Sequence, residues 1–372
     1  MGTMRHTWIR HAAGVVVAVG LCLTAAPAAA QWQVETKDGS ASIRFGFLAQ
    51  PQAEWLETPA NDGTSTNLFI RRLRILFGGR VAPKWLFFIE TDSPNIGKAN
   101  PDKAANPTGA KGTSTIFIQD AYFTYDHSTE FKVDTGMILM ATSHNHLQGA
   151  TTLLPVDYGP YSFLVSGPTG ECVGRDYGVQ LRGYPAGQKL EYRAGVFQGV
   201  RGAEARNPLR LSGRAVYYPY GADTGFFYSG TWQGTRRILG IGAFVDGQKD
   251  YLSYGADAIV EQPFANKSGG VTGQFNWMRL DGGDLLASLP KQDTLLVEAA
   301  VHLAGSRVAP FVQWADRDFD DPALLDQDFL QGGLIWWMRG HNRSLKIGVG
   351  RQHTDTQQDR LQVVAQLQVY AY

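Results

Sequence analysis

The feature that most constrains this chain is an alternation of apolar and polar residues, which begins near residue 40 and runs to the last residue, Tyr372. In a β-strand successive side chains point to opposite faces, so this alternation gives each strand one apolar and one polar face. The stretches are about ten residues long and are separated by turn residues, as in strands that cross an outer membrane. About sixteen of them follow one another, and such an even-numbered series predicts an all-β fold, a transmembrane antiparallel β-barrel.

The predicted strands and their connections also give the barrel a direction. Tight turns alternate with longer connections, as short periplasmic turns and long outer loops do in outer-membrane barrels. Residues 221–235 are irregular and leave the count open by two strands. The predicted strands are Ser42–Trp55, Leu68–Val81, Trp85–Asp92, Ile116–Tyr125, Phe131–Met140, Arg175–Tyr184, Lys189–Gln198, Leu209–Tyr220, Arg237–Asp246, Leu252–Gln262, Gly270–Arg279, Thr294–Leu303, Arg307–Arg317, Phe329–Arg339, Ser344–His353 and Leu361–Tyr372.

The first thirty residues have the features of a secretory signal. Arg5 and Arg10 precede an apolar core that ends at Leu23, and three alanines close the segment. The apolar core is too short to span a bilayer. We therefore expect residues 1–30 to be removed and residues 31–372 to form a barrel in the outer membrane of a Gram-negative bacterium.

Charge and cysteine content exclude several classes of protein. The chain has 34 basic and 34 acidic residues, and the signal carries only two of the basic ones. A chain so close to neutrality is not expected to bind nucleic acid. Cys172 is the one cysteine outside the signal, so neither an intrachain disulfide nor a cysteine metal cluster is expected.

No motif in the sequence predicts catalysis or a cofactor. We find no nucleophile–histidine–acid pattern, no phosphate-binding glycine loop and no specially spaced carboxylates, so we do not expect an enzyme. His144 and His146 are two residues apart, and Asp157 is the nearest further candidate ligand. We interpret them as polar loop residues and expect no metal site.

The longest connection, residues 141–173, is the third outer loop of the predicted barrel. Its many leucine and aromatic residues make it too apolar for a solvated loop, so we expect it to fold into the lumen and constrict the pore. Asp157, Tyr158 and Tyr161 are its candidate constriction residues. A lumen enclosed by sixteen strands is too wide to be filled by wall side chains alone.

Alternation places a set of arginines on the inner face of the wall. Arg72 and Arg74, two residues apart on one strand, are the best candidates for an electrostatic lining. The alternative is that the arginines pair with inward carboxylates and contribute little net field. The full candidate set is Arg44, Arg72, Arg74, Arg182, Arg193, Arg214 and Arg307.

Three segments of the chain resemble the phosphate-selective porin O/P family. They are Ile70–Arg74 with Gly79 and Trp85, Gln119–Tyr125, and Gly174–Leu181. The resemblance covers about residues 40–200. It implies a sixteen-stranded homotrimeric porin with an inward third loop, an arginine-lined path, and a lysine-rich constriction that selects phosphate or polyphosphate.

The third loop departs from that family pattern, because residues 141–173 contain no lysine and their only charges are Asp157 and Glu171. Capturing phosphate needs concentrated positive charge to offset the dehydration of the anion. A pore for neutral or weakly charged solutes fits the loop at least as well as a phosphate channel does.

The main functional hypothesis is a porin for passive diffusion of small hydrophilic solutes, anions such as phosphate included. The alternative is a barrel in outer-membrane lipid that serves as a scaffold or sleeve for a periplasmic or surface partner. A secreted β-sandwich is less consistent with the number of strands. In the last strand, the apolar phase opposes Tyr370 and Tyr372, so either a bulge shifts the register or the tyrosines point inward.

Overall fold

A computed structural model describes residues 32–58, 63–99 and 115–372. The predicted signal, residues 1–30, lies outside the described residues. Within them the chain forms a single antiparallel sheet of seventeen strands. The strands are β1 (Trp32–Glu35), β2 (Ser42–Thr58), β3 (Gly63–Ala82), β4 (Trp85–Asp92), β5 (Phe117–Ser128), β6 (Phe131–Leu139), β7 (Arg175–Gly183), β8 (Leu190–Phe197), β9 (Arg210–Tyr217), β10 (Ile238–Gln248), β11 (Tyr251–Pro263), β12 (Gly270–Asp281), β13 (Gln292–His302), β14 (Val308–Phe319), β15 (Gln327–Arg339), β16 (Arg343–Thr354) and β17 (Arg360–Ala371).

Pairing of β2 with both β3 and β17 closes the sheet into a barrel of sixteen long strands, β2 to β17. The prediction of a sixteen-stranded barrel is confirmed. The short β1 pairs with β2 on the same edge as β17, just beyond the end of β17. Trp32 pairs with Phe45, and the last pair of β17 is Ala371 with Phe47. Closure leaves the barrel without a free edge, which is the condition for strands to lie in lipid.

The two rims of the barrel differ in their connections. The first and last described residues, Trp32 and Tyr372, lie at one rim, here called the terminal end; the other is the loop end. Of the seven connections between strands β2 to β17 at the terminal end, six are short, but residues 218–237 form a long one. At the loop end the longest connection is residues 140–174, here called the inner loop, which matches the predicted third loop.

Regular alternation along the strands sorts side chains between lipid and lumen. On β16, Ile347 and Val349 are exposed on the outer face, while Ser344 and Lys346 are buried on the inner face. An outer face of this kind suits lipid contact and an inner polar face suits a solvated or filled lumen.

Within the described residues, helical structure is confined to single turns in the connections. These turns are α1 (His144–Leu147), α2 (Ser166–Thr169), α3 (Pro185–Gln188) and a 3-10 turn at Ala203–Ala205. Within the described ranges, no helix combines the length and apolar character needed to cross a membrane.

A β-bulge interrupts the alternation of β3. Strict alternation would place Phe69 on the outer face with Leu73, but Phe69 is buried on the inner face. Ala49 pairs with Leu73 and Pro51 with Ile70, so β3 carries one extra residue at this point. The extra residue reverses the inward and outward phases on either side of it.

The last strand resolves the alternative left open by its sequence. Its register against β2 is continuous, without a bulge. Tyr370 and Tyr372 instead point inward and pack beside Leu48 and Leu76. The Tyr372 ring also makes an edge contact with Phe88, at 5.8 Å between centroids.

The inner loop lies inside the barrel against an apolar part of the inner wall. Leu154 and Val156 pack with the inward side chains of Ala300, Ala309, Phe311, Ile335, Trp337 and Val364. Leu153 and Leu154 have no exposed surface. Burial of this much apolar surface explains why the loop is not solvated outside the barrel.

The long terminal-end connection, residues 218–237, also enters the lumen. We call it the lower segment. Tyr228 is fully buried and packs with Leu139 and Leu147. Its backbone N–H donates to the Leu147 carbonyl, and its carbonyl accepts from the Gly149 N–H, so the lower segment is hydrogen-bonded to the inner loop.

The inward position of Tyr372 can be tested at Gly78, the inner-face residue of β3 beneath its ring. A Cβ at Gly78 would overlap the Tyr372 hydroxyl, while the next atoms are 3.1 and 3.2 Å away. Gly78→Ala should therefore destabilise the barrel by about 1–3 kcal/mol, as overpacking does. We expect a lower unfolding temperature in heat-modified gel mobility. Tyr372→Phe in the same chain should restore most of it; equal instability of the double variant would contradict the inward position.

Candidate functional site

A cavity of about 610 Å³ lies between the inner loop and the loop-end halves of the strands. We call it the vestibule. Its wall combines charged side chains with glutamine amides such as Gln52, Gln119 and Gln331, and its floor is the inner loop from Val156 to Tyr161. Inward-facing residues of several strands line this cavity, so a solute entering from the loop end would contact these groups first.

Asp157 and Tyr158 lie at the centre of the vestibule floor. The Asp157 carboxylate accepts from Arg71 Nε at 2.6 Å and from an Arg72 terminal nitrogen at 2.5 Å. The Tyr158 hydroxyl donates to the Gln148 carbonyl at 2.7 Å, and its ring lies 5.4 Å from the Arg72 guanidinium carbon. Tyr158 is thus fixed at both its ring and its hydroxyl.

The protonation of Asp157 follows from these contacts. Burial by itself raises the pKa of the carboxyl, but Arg71 and Arg72 outweigh it and hold that pKa well below its usual range. Asp157 is therefore a carboxylate at neutral pH, with one arginine on each of its oxygens.

Tyr161, the third candidate constriction residue, lies at the edge of the floor. Its ring is 5.8 Å from the Arg317 guanidinium carbon, and partial burial raises the pKa of its hydroxyl to about 12. It therefore faces the vestibule as a neutral aromatic group with a hydrogen-bonding hydroxyl.

The arginines of the vestibule wall are engaged by carboxylates. Arg74 lies 2.6 Å from Glu90 and 3.0 Å from Asp92, all three on neighbouring inner-face positions of β3 and β4. Arg175 lies 3.1 Å from Asp120. Both guanidinium groups are buried, and the neighbouring carboxylates of the wall balance their charge.

The candidate arginines below the inner loop are paired in the same way. All three are buried on the inner face and none of them lines the vestibule. The pairs are Arg182 with Asp134 at 2.7 Å, Arg193 with Glu191 at 2.7 Å and Arg214 with Asp257 at 2.6 Å.

Two candidate arginines lie away from these groups. Arg44 is at the terminal end, where it donates to Gln33 and its guanidinium carbon is 5.6 Å from the Tyr372 ring. Arg307 was predicted on an inner strand position, but the structure places it in the exposed turn before β14. Because β14 begins only at Val308, Arg307 does not line the lumen.

Several lumen residues were missed from the sequence. Arg71 should face outward by alternation, and only the bulge in β3 brings it to the lumen. By alternation with Arg182, Arg175 should also face outward, yet it is buried beside Asp120, which lies 55 positions earlier in the chain. No local sequence signal predicts such a pair.

Lys346 holds the inner loop to the wall. Its ammonium group is buried and donates to the carbonyls of Leu153 and Pro155, the latter at 2.7 Å. On the other side Gln313 donates to the Asp157 carbonyl at 3.3 Å. A buried ammonium needs such acceptors, and here they are backbone groups of the loop.

The two histidines of α1 take part in packing. His144 stacks on Tyr228, and the His146 ring lies between two carbonyl acceptors, with Nδ1 at 3.0 Å from the Ser162 oxygen and Nε2 at 3.4 Å from the Gly174 oxygen. Burial lowers the pKa of both imidazoles to about 4, so they are neutral near pH 7. Among the described residues, no group of three or more His, Cys, Asp or Glu side chains is arranged to hold a metal ion.

The family of the chain follows from its sequence. The sequence model of the family "Phosphate-selective porin O and P" matches residues 51–272, more than half of the 372 residues. The chain belongs to this family. It is an outer-membrane porin, a barrel that forms a channel for small hydrophilic solutes in the outer membrane of a Gram-negative bacterium. No curated protein matches the chain significantly.

Solved porins share the fold over about nine tenths of the chain at low sequence identity. OmpF of Salmonella typhi, solved with daunomycin, is 11% identical with a TM-score of 0.59, covering 90% of this chain and 100% of its own. An anion-selective porin from Comamonas acidovorans is 11% identical with a TM-score of 0.57, covering 89% and 99%. OmpT of Vibrio cholerae is 10% identical with a TM-score of 0.53, covering 89% and 99%. At this identity the likeness concerns the fold alone.

The Lys346 anchor gives a prediction about the position of the inner loop. Lys346→Met keeps the side-chain length but leaves two carbonyls without their donor, which costs about 1–3 kcal/mol for each buried group left unpaired. We expect a looser loop, seen as larger and noisier single-channel conductance in planar bilayers. Lys291→Met removes a lysine from the exposed rim and is the matched control. Identical conductance traces for the two variants would show that Lys346 does not position the loop.

Proposed function

We propose that this porin conducts small neutral and weakly charged solutes with little preference for anions. The observation that carries the proposal is the pairing of the vestibule cations. Among the described residues, each lysine or arginine lining the vestibule has a carboxylate within 4 Å. The pairs are Arg71 and Arg72 with Asp157, Arg74 with Glu90 and Asp92, Lys98 with Glu54, and Arg175 with Asp120.

Paired charges make a poor trap for phosphate. Opposite charges in contact produce a field that declines steeply with distance, so the vestibule concentrates anions only weakly. Dehydrating a phosphate group is costly and needs unneutralised cations in compensation. The family's phosphate selectivity would require free arginines or lysines that this wall does not offer within its described part.

The uncharged lining of the vestibule favours hydroxylated and amide-bearing solutes. Gln52, Gln119 and Gln331 present donors and acceptors without charge, and Tyr158 and Tyr161 add aromatic faces. A solute that can exchange hydrogen bonds with amides replaces part of its hydration shell at little cost. Such a lining passes solutes by size and hydrogen bonding more than by charge.

We propose that the inner loop, which contains the predicted constriction 141–173, limits the size of the solute. The lower segment would narrow the path a second time, since Phe226 stacks on Tyr122 of the wall with centroids 4.3 Å apart. Two inserts from opposite rims make a longer constriction than one loop alone.

We also propose that the protein works as a homotrimer in outer-membrane lipid. The family resemblance implies a trimer, and the OmpT structure of Vibrio cholerae is described as a trimer form. Cross-linking of the detergent-extracted protein would test the state directly; a single band at the monomer mass would contradict it.

A second candidate function is a scaffold or sleeve with little conduction of its own. The hydrogen bonds between the lower segment and the inner loop favour the sleeve, because they join two segments that together fill part of the lumen below the vestibule. Planar-bilayer recordings separate the two functions. Defined conductance steps support the porin, and their absence in folded, membrane-inserted protein supports the sleeve.

The balance of vestibule charge predicts how Arg74 affects selectivity. Arg74→Gln leaves Glu90 and Asp92 without their cation, so the permeability ratio of cations to anions should rise. We expect the permeability of each ion to change about two- to threefold, upward for cations and downward for anions, since a unit charge about 7 Å from an ion in water-like surroundings contributes about 0.6 kcal/mol.

The measurement is the reversal potential in a KCl gradient, with gel mobility to confirm folding. Arg279→Gln is the control because Arg279 is paired with Asp293 and Asp320 on the outer side of the loop-end rim. An equal shift in both variants would show that the effect does not arise at the vestibule wall.

A further inference from the structure

At the vestibule floor a single carboxylate, that of Asp157, is bonded to two arginines. Asp157 Oδ2 is bonded to Arg71 Nε and Asp157 Oδ1 to Arg72, so each oxygen has its own guanidinium. Charge-assisted hydrogen bonds from guanidinium groups to carboxylate oxygens are among the strong ones in proteins, and here both oxygens receive one. The partner here belongs to the inner loop and not to the wall.

The arginine pair, Arg71 and Arg72, exists only because of the bulge in β3. Consecutive residues of a regular strand face opposite sides of the sheet, so one of the two should face lipid. The extra residue between the pairs of Leu73 and Ile70 brings both side chains to the lumen. Bulges often re-aim a side chain at a functional position.

The arginine pair is rigid on one side and accessible on the other. Arg72 is 3% exposed, and its second terminal nitrogen donates to Gln50 at 2.9 Å. Arg71 and Asp157 are 24% and 33% exposed and both line the vestibule. A solute in the vestibule can therefore reach the edge of the pair where Asp157 is bonded.

The inner loop does not depend on Asp157 alone for its position. Lys346 holds the carbonyls of Leu153 and Pro155 a few residues earlier, and the apolar contacts of Leu154 and Val156 flank them. The Asp157 side chain can leave the arginines by rotating its own bonds, which also releases the Tyr158 N–H bonded to Oδ1 at 2.9 Å, while these contacts keep the rest of the loop backbone in place.

We propose that the arginine pair is a recognition site for the carboxylate group of a passing solute, and that Asp157 occupies it as a built-in competitor. The inference rests on the proposed channel function, because the solute must enter the vestibule. A solute carboxylate takes the two guanidinium contacts, and Asp157 turns to water in the vestibule. No covalent bond changes in this exchange.

The competitor keeps binding weak. A tethered carboxylate acts at a high effective concentration, so a solute has to compete with it and is released readily. A channel needs such a site, favourable enough for entry and weak enough for exit. A planar carboxylate also matches the contacts of Asp157 more closely than a tetrahedral phosphate does.

The test compares chloride currents through wild type, Asp157→Asn and Asp328→Asn while acetate replaces chloride at constant ionic strength. Asp328 lines the same vestibule and pairs with Arg351, so its variant removes the same charge away from the arginine pair. We expect acetate to reduce the Asp157→Asn current at concentrations at least about tenfold lower than in wild type, as for loss of one strong competitor. Asp328→Asn should change this concentration much less. Adding Arg71→Gln to Asp157→Asn should remove the gain.

Phosphate forms a second arm of the experiment. Stronger inhibition by acetate than by phosphate supports a carboxylate site, whereas the reverse order overturns that choice of ligand. Equal sensitivity of Asp157→Asn and Asp328→Asn to acetate overturns the inference, although both still conduct. If folded wild type and all variants give no conductance steps, the proposed channel function fails instead.

Discussion

The structure depends on one constraint, the cost of an unpaired backbone polar group in lipid. Strands meet it only by closing on themselves, which β2 does by pairing with both β3 and β17. Closure sends one phase of every strand to lipid and the other into a lumen too wide for wall side chains to fill. The lumen must then be filled by water or by other parts of the chain. Here the inner loop and the lower segment occupy much of it.

The inner face of the wall is apolar in one part of the barrel and polar in another, according to what fills the lumen beside it. Where the inner loop packs, the inner face carries apolar residues such as Phe311 and Ile335, contrary to the simple picture of a polar lumen. Where the vestibule remains, the inner face carries ion pairs and glutamines. Burial of arginine without a partner would be costly, so the carboxylates of neighbouring strands serve as counter-charges. The same pairing that makes the wall stable reduces the electrostatic field that a phosphate channel would need.

The strands could be predicted closely because alternation is a local property. Predicted and observed strands agree within a few residues for most of the barrel, and residues 221–235, which the sequence left unassigned, lie in a long connection at the terminal end. The site was less predictable. The inward positions of Arg72 and Arg74 followed from alternation, but Arg71 required the bulge, and Arg307, expected to begin a strand, lies in the turn one residue before β14. The partners of each arginine come from other strands or from the inner loop, which no local pattern reveals.

The sequence by itself determined the barrel, the bounds of most of its strands and the direction of its connections, since hydrophobic period and turn residues act within a few positions. It also predicted, from apolar content alone, that residues 141–173 belong inside. Only the tertiary structure decided which charges neutralise one another, that the terminal tyrosines point inward, and that Asp157 lies between two arginines. These outcomes depend on residues brought together by closure from distant parts of the chain, as with Asp157 and Arg72, 85 positions apart. Contacts of that kind depend on register and bulges across the sheet, so the sequence of a single strand does not predict them.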